Sequence, residues 1–152
     1  MMPGRLSRRV AAERLAWIDA MLAEIRALPL DDRAAFLHDR RHRWAAESCL
    51  RRALEALFDL GRHILAEGFG DSPSEYKAVA AGLGARGVLS NEASSRLQVL
   101  GSYRNRMVNF YHEITADELY DLCAHHLDDV TSAAEALRAW LAEHQDELPD
   151  LT

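Results

Sequence analysis

Hydrophobic residues recur at three- and four-residue spacings along most of this 152-residue chain, which is the period of an amphipathic helix. Runs that alternate apolar and polar residues, as a half-buried strand requires, are nearly absent. The first periodic segment covers residues 7–28 and ends before Pro29, which cannot continue a helix interior. Its apolar positions are Val10, Trp17, Met21, Ile25 and Leu28.

The same pattern, with its start and stop signals, predicts four further helices. A long second helix is predicted over residues 32–67, with Gly68 at its end. A short helix over residues 73–85 follows a turn rich in Gly, Ser and Pro, and a fourth covers residues 91–108. The last covers residues 115–144 and starts with TADE, which has the form of a capping box.

These elements predict an all-α fold, an antiparallel bundle of four main helices with one short connecting helix. The length fits one domain over residues 1–152, with enough chain to bury a real core. We find no internal repeat, low-complexity segment or composition shift that would mark a second domain.

The charge balance limits the function classes. A formal net charge of −6 argues against a surface that coats nucleic acid broadly, because such domains are basic, although a local patch remains compatible with it. All but one of the 18 basic residues are Arg, whose planar fork makes bidentate contacts with phosphate. A GC-rich genome, which raises Arg and Ala together, explains the same bias, so both interpretations stay open.

The number of cysteines and the hydropathy of the chain indicate the cellular compartment in which the protein works. The two cysteines lack CxxC spacing, which argues against a disulfide scaffold and favours a reducing environment. The start MMPGRLSRRVAAERLAW carries arginines without a continuous apolar stretch, unlike an ordinary signal peptide. No run approaches the roughly 20 apolar residues of a membrane helix. We therefore expect a cytoplasmic protein that does not enter a membrane.

The most reactive side chains crowd into residues 103–114, YRNRMVNFYHEI, at the junction between the fourth helix and the last. Junctions between rigid helices are common positions for chemistry. The stretch resembles the Arg-Asn-x-x-x-His-x-Tyr motif of the HepT-type toxins in the HEPN superfamily. Arg104, Asn105 and Tyr111 match the motif, and the likeness extends over the whole chain, including the PSEYKAV connector.

The resemblance implies a HEPN-like bundle and a metal-independent endoribonuclease toxin that needs no cofactor. It also implies a homodimer in which two copies of the motif form one composite site across the subunit interface. The implied partner is a minimal nucleotidyltransferase antitoxin of the MntA type. That antitoxin would use ATP to attach AMP to Tyr111, which places a negatively charged nucleotide in the RNA groove.

The residue types fit these implied roles. RNA cleavage without a metal needs a base for the ribose 2′-OH proton and a cation for the charge that develops on the phosphate. Arg104 suits the cation, since its fork stabilises phosphoryl oxygens. Asn105 suits orientation of a partner through its amide. Tyr111 offers a phenol that bonds phosphate or receives AMP.

Asn109 stands where the motif has its histidine, and an amide does not accept and return a proton at neutral pH. Three explanations compete. The protein is a weakened or inactive member, or a deliberate His-to-Asn change has silenced an active toxin. In the third, His112 replaces the missing base, since Arg106 to His112 also fits the looser Arg-to-His spacing of the superfamily.

Two residues of the long second helix are auxiliary candidates. Asp59 and His63 lie four apart and therefore share a helix face. They flank the apolar stripe, so they are placed to approach the site from the side or to line the dimer interface. A helix-surface ion pair is the alternative. For His112, the alternative to catalysis is a solvent-exposed role near the start of the last helix.

Two other function classes remain open. The first is a non-catalytic HEPN dimer that serves as a binding module and as the substrate of a nucleotidyltransferase, which Asn109 favours. The second is a metal-binding bundle, since the chain has seven histidines. The paired Glu-x-x-His segments of di-iron bundles are absent, which leaves only a three-His site drawn from separate helices.

Overall fold

A computed structural model describes residues 7–109 and 114–144 of the chain. Within these two ranges the chain forms seven α-helices and no strand. None of the helices described there is both long and apolar enough to cross a lipid bilayer. In chain order they are α1 (Arg8–Arg26), α2 (Arg33–His38), α3 (Arg40–Phe69), α4 (Tyr76–Ala85), α5 (Asn91–Val108), α6 (Ala116–His125) and α7 (Leu127–Glu143).

The long helix α3 organises the bundle, because it packs against each of the other six helices. One face of α3 is apolar and lies in a core to which every helix contributes. Each fully buried Leu or Phe there contributes roughly 1.5–3 kcal/mol relative to an exposed position. This arrangement confirms the predicted all-α bundle. The largest buried side chains of α3 are Leu50, Leu54, Leu57, Phe58, Leu60, Ile64 and Leu65.

The prediction of one continuous second helix is wrong, because the helix breaks at Asp39 into α2 and α3. Asp39 has an extended backbone (φ −113°, ψ 115°), and its carboxylate accepts a hydrogen bond from the Arg41 N–H at 2.9 Å. Nδ1 of His42 lies 3.2 Å from the carbonyl oxygens of both Ala35 and Phe36. These side chains satisfy backbone groups locally, which favours a helix start over a helix interior.

The last predicted helix also divides, at His126, into α6 and α7. His126 leaves the helical conformation (φ −125°, ψ 6°) while its N–H still donates to the Leu122 carbonyl at 2.9 Å. Asp128 and Asp129 then occupy the first turn of α7. Carboxylates are favourable there because they face the positive end of the helix dipole. The hydrophobic spacing continues across the break and gives no sign of it.

Three helix ends differ from the predicted ones by a few residues. Helix α3 continues past Gly68 to Phe69 and is closed by Gly70, whose φ of 70° lies in the left-handed region. Glycine adopts this conformation without a Cβ clash, which makes it the usual residue after a helix end. Helix α1 stops at Arg26, and α4 starts at Tyr76 rather than at residue 73.

Polar contacts join the end of α5 to the start of α6. Arg106 donates two hydrogen bonds to the Glu118 carboxylate, at 2.8 and 2.9 Å. Thr115 and Glu118 exchange side-chain and backbone bonds, so TADE forms the predicted capping box. Arg43 of α3 donates to the Ile114 carbonyl at 3.2 Å. These contacts fix both sides of the motif relative to α3.

The clamp between Arg106 and Glu118 should depend on pH. The pKa of Glu118 is lowered to about 2, first because Arg106 donates to its carboxylate and then because the Thr115 N–H does. An unfolded Glu titrates near ~4.3, so the bonds stabilise the fold above that pH, and the stabilisation is lost as pH falls towards ~2. We expect Glu118→Gln to lower the free energy of unfolding at neutral pH and to lose less of it on acidification than the parent chain.

Urea unfolding at a series of pH values measures this difference. Arg106→Gln is the matched variant from the other side of the clamp, because it removes the donors while leaving the carboxylate. Arg106→Gln should also make the free energy of unfolding less dependent on pH. Equal pH slopes for the parent and both variants would contradict the assigned role of the clamp.

Candidate functional site

Arg104 lies in the last turns of α5 and is held by two other helices. Its Nη2 is 3.2 Å from Oε1 of Glu55 on α3. Its Cζ is 4.6 Å from the centre of the Tyr76 ring at the start of α4. The side chain is 24% exposed, so the guanidinium sits at the protein surface with its orientation fixed. An ion pair and a cation–π contact together hold the planar group.

The Tyr76 ring is fixed in turn by the core. It stacks on Phe58 with ring centroids 4.5 Å apart and an interplanar angle of 1°, and Phe58 is fully buried. Gly101, one turn before Arg104, permits this stack. A Cβ there would lie 3.2 Å from Cζ of Phe58 and 3.3 Å from Cβ of Tyr76, so a glycine lets α5 approach closely. An unbroken series of contacts therefore runs from the core to the guanidinium.

Arg104 retains hydrogen-bonding capacity. Its Nε is buried and has no hydrogen-bond partner among the described residues. Its Nη1 lies 3.5 Å from Oδ1 of Asn105, longer than an ordinary N–H···O bond. A guanidinium carries five N–H donors in one plane, and the bond to Glu55 uses one of them. The terminal N–H donors that Glu55 does not engage suit an anionic oxygen.

A groove with a volume of about 380 Å³ opens beside Arg104. Its main wall is a stripe of α3 residues at three- and four-residue spacing, on the side away from the buried face. Trp17 of α1 and Tyr76 of α4 also line the groove. The small side chain of Ala56 leaves room at the middle of the wall. The α3 residues in the stripe are Arg52, Glu55, Ala56, Asp59 and Arg62.

The groove is basic, although the chain as a whole carries a net charge of −6. Two carboxylates line it, Glu55 and Asp59. Each is paired: Arg51 and Arg104 both contact Glu55, and Arg14 donates to Asp59 at 2.5 Å. Arg52 and Arg62 also line the groove. Among the described residues, five arginines therefore line the groove or pair with its two carboxylates. Positive charge concentrated in a cleft attracts anions.

Of the two auxiliary candidates, the structure places Asp59 in the groove of Arg104. His63 lies beside it, with Nε2 3.7 Å from Oδ1 of Asp59. His63 lines an adjoining depression with Arg62 and Ser72 instead. The shared helix face predicted for Asp59 and His63 is therefore present, and the ion-pair geometry is present with it.

The motif residues that the structure describes follow one another at the end of α5. Asn105 and Asn109 are both exposed, and the Asn109 N–H donates to the Asn105 carbonyl at 3.1 Å. Tyr111 and His112 lie outside the described residues. Arg106, the cation in the Arg106-to-His112 pairing, is already engaged with Glu118 through both terminal nitrogens. That alternative would have to compete with the clamp.

Thiol and metal chemistry find little support in the described part of the chain. Burial raises the pKa of Cys123 to about 12 and also raises the pKa of Cys49, so both thiols stay protonated at neutral pH. No three His, Cys, Asp or Glu side chains among the described residues converge so that they could hold a metal ion.

Sequence reasoning missed several groove residues. Glu55 lies 49 positions before Arg104, so no local spacing links them. Trp17 was assigned to the apolar stripe of the first helix, but it is 44% exposed. A signal existed in α3, where the polar residues recur at helical spacing opposite the apolar ones. That pattern marks a charged helix face without showing what the face meets.

The sequence matches one protein-family model. The model is described as ribonuclease HepT-like, and it matches residues 18–137 of this chain. The chain belongs to the HepT-like ribonuclease family. No curated protein sequence matches it.

Three solved structures share this fold at low sequence identity. The tri-AMPylated HEPN toxin of Shewanella oneidensis, in complex with MNT antitoxin, superposes with a TM-score of 0.79 at 22% identity, over 86% of this chain and 97% of that one. A toxin–antitoxin crystal structure with AMP-PNP gives 0.78 at 20% identity, over 87% and 99%. The cytosolic Bacillus subtilis protein YutE, of unknown function, gives 0.79 at 19% identity, over 95% and 96%. These likenesses establish a shared fold.

The stack beneath Arg104 gives a direct test of how this site is built. We expect Tyr76→Ala to lower the free energy of unfolding by about 2 kcal/mol, because it removes a ring packed on Phe58. Tyr76→Phe keeps the ring and should change it by less than ~0.5 kcal/mol. Urea unfolding measures both. Equal destabilisation by the two variants would show that the hydroxyl, rather than the ring, supports the site.

Proposed function

We propose that this HepT-like chain is the toxin subunit of a toxin–antitoxin pair, built to bind RNA and cut it without a metal. The observation that carries the proposal is the Arg104 arrangement. A guanidinium fixed by Glu55 and Tyr76, with unused donors, lies in a basic groove of an otherwise acidic chain. Such a group stabilises the charge that develops on a phosphate during cleavage.

The proposed reaction is attack of a ribose 2′-OH on the adjacent phosphate. The P–O2′ bond forms and the P–O5′ bond breaks, which leaves a 2′,3′-cyclic phosphate on one fragment and a 5′-hydroxyl, protonated by water, on the other. A general base takes the hydroxyl proton while Arg104 bonds the phosphoryl oxygens. Because Arg104 is already oriented, little reorganisation is needed as the negative charge grows. Asn109 occupies the position of the base and transfers no proton at neutral pH. The chain is therefore proposed to bind RNA normally and to cleave it weakly or not at all.

The proposal includes a homodimer in which two copies of the motif face each other. Arg104, Asn105 and Asn109 of each copy would then contribute to one composite site. This feature is supported by the position of the motif at an exposed helix end.

Neutralisation is proposed to occur by AMP transfer from a nucleotidyltransferase antitoxin to Tyr111. The Shewanella oneidensis HEPN toxin of the same fold is tri-AMPylated and complexed with MNT antitoxin. In the transfer the tyrosine oxygen attacks the α-phosphorus of ATP and pyrophosphate leaves. The product carries a fixed phosphate, which would compete with RNA phosphate for the groove.

A non-catalytic dimer is the second candidate function, and Asn109 favours it. In that case the chain binds RNA or nucleotide and serves as the substrate of the nucleotidyltransferase without cutting RNA. The two functions share the groove and Tyr111. They differ in one respect: only the toxin should cleave RNA once a histidine at position 109 supplies a general base.

Cleavage of RNA by this chain and by Asn109→His separates the two functions. We expect the His variant to cleave about 10²- to 10⁴-fold faster, because it restores a general base. Its rate should rise with pH through ~6.5, as the imidazole loses its proton. Gel analysis of labelled single-stranded RNA measures both rates. Addition of Arg104→Ala to the His variant should lower its cleavage rate about 10²- to 10³-fold.

Two results would contradict the toxin proposal. One is the absence of cleavage by both chains while both remain folded. The other is cleavage that persists unchanged in the Arg104→Ala variant. The first result would favour the non-catalytic dimer, and the second would place the reaction elsewhere.

AMP transfer gives an independent test. Incubation with ATP and an MntA-type antitoxin should add AMP to Tyr111, and Tyr111→Phe should block the addition. Mass spectrometry of the peptide that carries residue 111 measures the modification. Tyr103→Phe is the matched control, since Tyr103 lies on α5 at the start of the same segment. Equal AMP incorporation into Tyr111→Phe and the parent chain would contradict the assigned site.

A further inference from the structure

An exposed tryptophan lines the Arg104 groove. Trp17 is 44% exposed and projects from α1, where Arg14, one turn earlier, pairs with Asp59 across the α1–α3 contact. The exposed indole of Trp17 does not belong to the hydrophobic core. Large exposed aromatic rings beside basic side chains are the usual stacking platforms for unpaired bases.

Two arginines that line the same groove have no carboxylate partner among the described residues. Arg52 and Arg62 form no ion pair with any residue that the structure describes, in contrast to Arg14 and Arg104. The Nε of Arg62 is buried, and no described residue accepts from it. Both side chains belong to the α3 stripe that lines the groove. The terminal N–H groups of guanidinium side chains that have no carboxylate partner are suited to phosphate.

We propose that Trp17, Arg52 and Arg62 form a subsite for one unpaired nucleotide next to the Arg104 phosphate position. The base stacks on Trp17, and the flanking phosphate is bonded by Arg52 and Arg62. The subsite rests on the proposed RNA-cleaving function and adds a preference to it, because only an unstacked base can reach the indole. A base inside an A-form duplex is stacked on its neighbours and cannot.

The size of the groove agrees with this occupant. Its volume of about 380 Å³ is near the lower end of the roughly 300–1,000 Å³ typical of small-ligand pockets. That is room for about one nucleotide. Of the aromatic rings lining the groove, Tyr76 is already covered by Arg104 on one face and by Phe58 on the other. Trp17 is therefore the ring left for a base.

Trp44 provides a matched comparison on the same molecule. It is 60% exposed, and the Cζ of Arg40 lies 5.8 Å from its ring centre. It does not line the groove of Arg104. If loss of any exposed indole near an arginine weakened RNA binding, substitution of Trp44 would weaken it as much as substitution of Trp17.

The experiment measures binding of a labelled single-stranded RNA of about ten nucleotides to the full chain by fluorescence anisotropy. Asn109 allows binding without fast turnover. We expect Trp17→Ala to weaken binding about 5- to 150-fold, which corresponds to the loss of one stacked base. Trp17→Phe should stay within about 3-fold of the parent chain, and Trp44→Ala should leave the affinity unchanged. Arg52→Gln and Arg62→Gln should each reduce the salt slope by about 0.7.

The emission of Trp17 gives a second readout. In a chain with Trp44→Phe and Trp140→Phe, Trp17 is the remaining tryptophan. Its fluorescence should be quenched by the single-stranded RNA, and neither inorganic phosphate nor an RNA duplex should quench it.

The outcomes separate this subsite from the function on which it rests. If Arg104→Ala weakens RNA binding while Trp17→Ala does not, the subsite is wrong and the proposed function survives. If neither variant changes binding, both are wrong. If Trp17→Ala converts a dimer into a monomer in sedimentation analysis, this face is covered by a second copy and the nucleotide subsite is overturned.

Discussion

Helix α3 must serve the core and the groove at once, and this constraint governs the rest of the structure. The helix packs against all six other helices and places its apolar face in the core, while its charged stripe forms the main wall of the groove. The two faces are locked together by the helical repeat, so the packing of Leu57 and Phe58 determines where Glu55 and Asp59 point. A core that moved would carry the charged side chains with it. Rigidity of this kind is what a phosphate site needs, since small displacements weaken directional bonds.

Electrostatics in the groove follow from how its carboxylates are used. Glu55 and Asp59 each hold arginines in place and still leave the cleft with more positive than negative charge. The overall charge of −6 opposes indiscriminate adhesion to polyanions, whereas the groove attracts them locally. An acidic chain can therefore be selective for anions that fit the groove. Salt should weaken this attraction, because exposed charges are screened over about 10 Å at 0.1 M.

The sequence revealed most of the helical architecture because periodicity and caps are local properties. The fourth predicted helix matches α5, and TADE forms the predicted capping box at the start of α6. The breaks at Asp39 and His126 escaped prediction for a physical reason. Both interrupt the backbone through short-range side-chain bonds or altered dihedral angles, while the apolar spacing continues. Hydrophobic periodicity records burial and is insensitive to a one-residue kink.

The site was predictable only in part. The motif identified Arg104 from its neighbours in the chain, since that signal is local. The partners that orient it, Glu55 and Tyr76, come from other helices, and only the packed bundle brings them together. Asp59 is a candidate because it shares a helix face with His63, and the structure shows that it lines the groove. Trp17 was misassigned because an apolar residue at helical spacing usually lies in the core.

The most direct measurement is an NMR titration that follows the arginine Nε–Hε resonances while single-stranded RNA is added. The account predicts that the resonances of Arg104 and Arg62 shift together. Those of Arg9 and Arg138, which pair with Glu13 and Asp19 outside the groove, should stay in place. Shifts confined to Arg9, Arg138 or other arginines outside the groove, with Arg104 unchanged at saturating RNA, would contradict the central claim that this groove binds RNA phosphate.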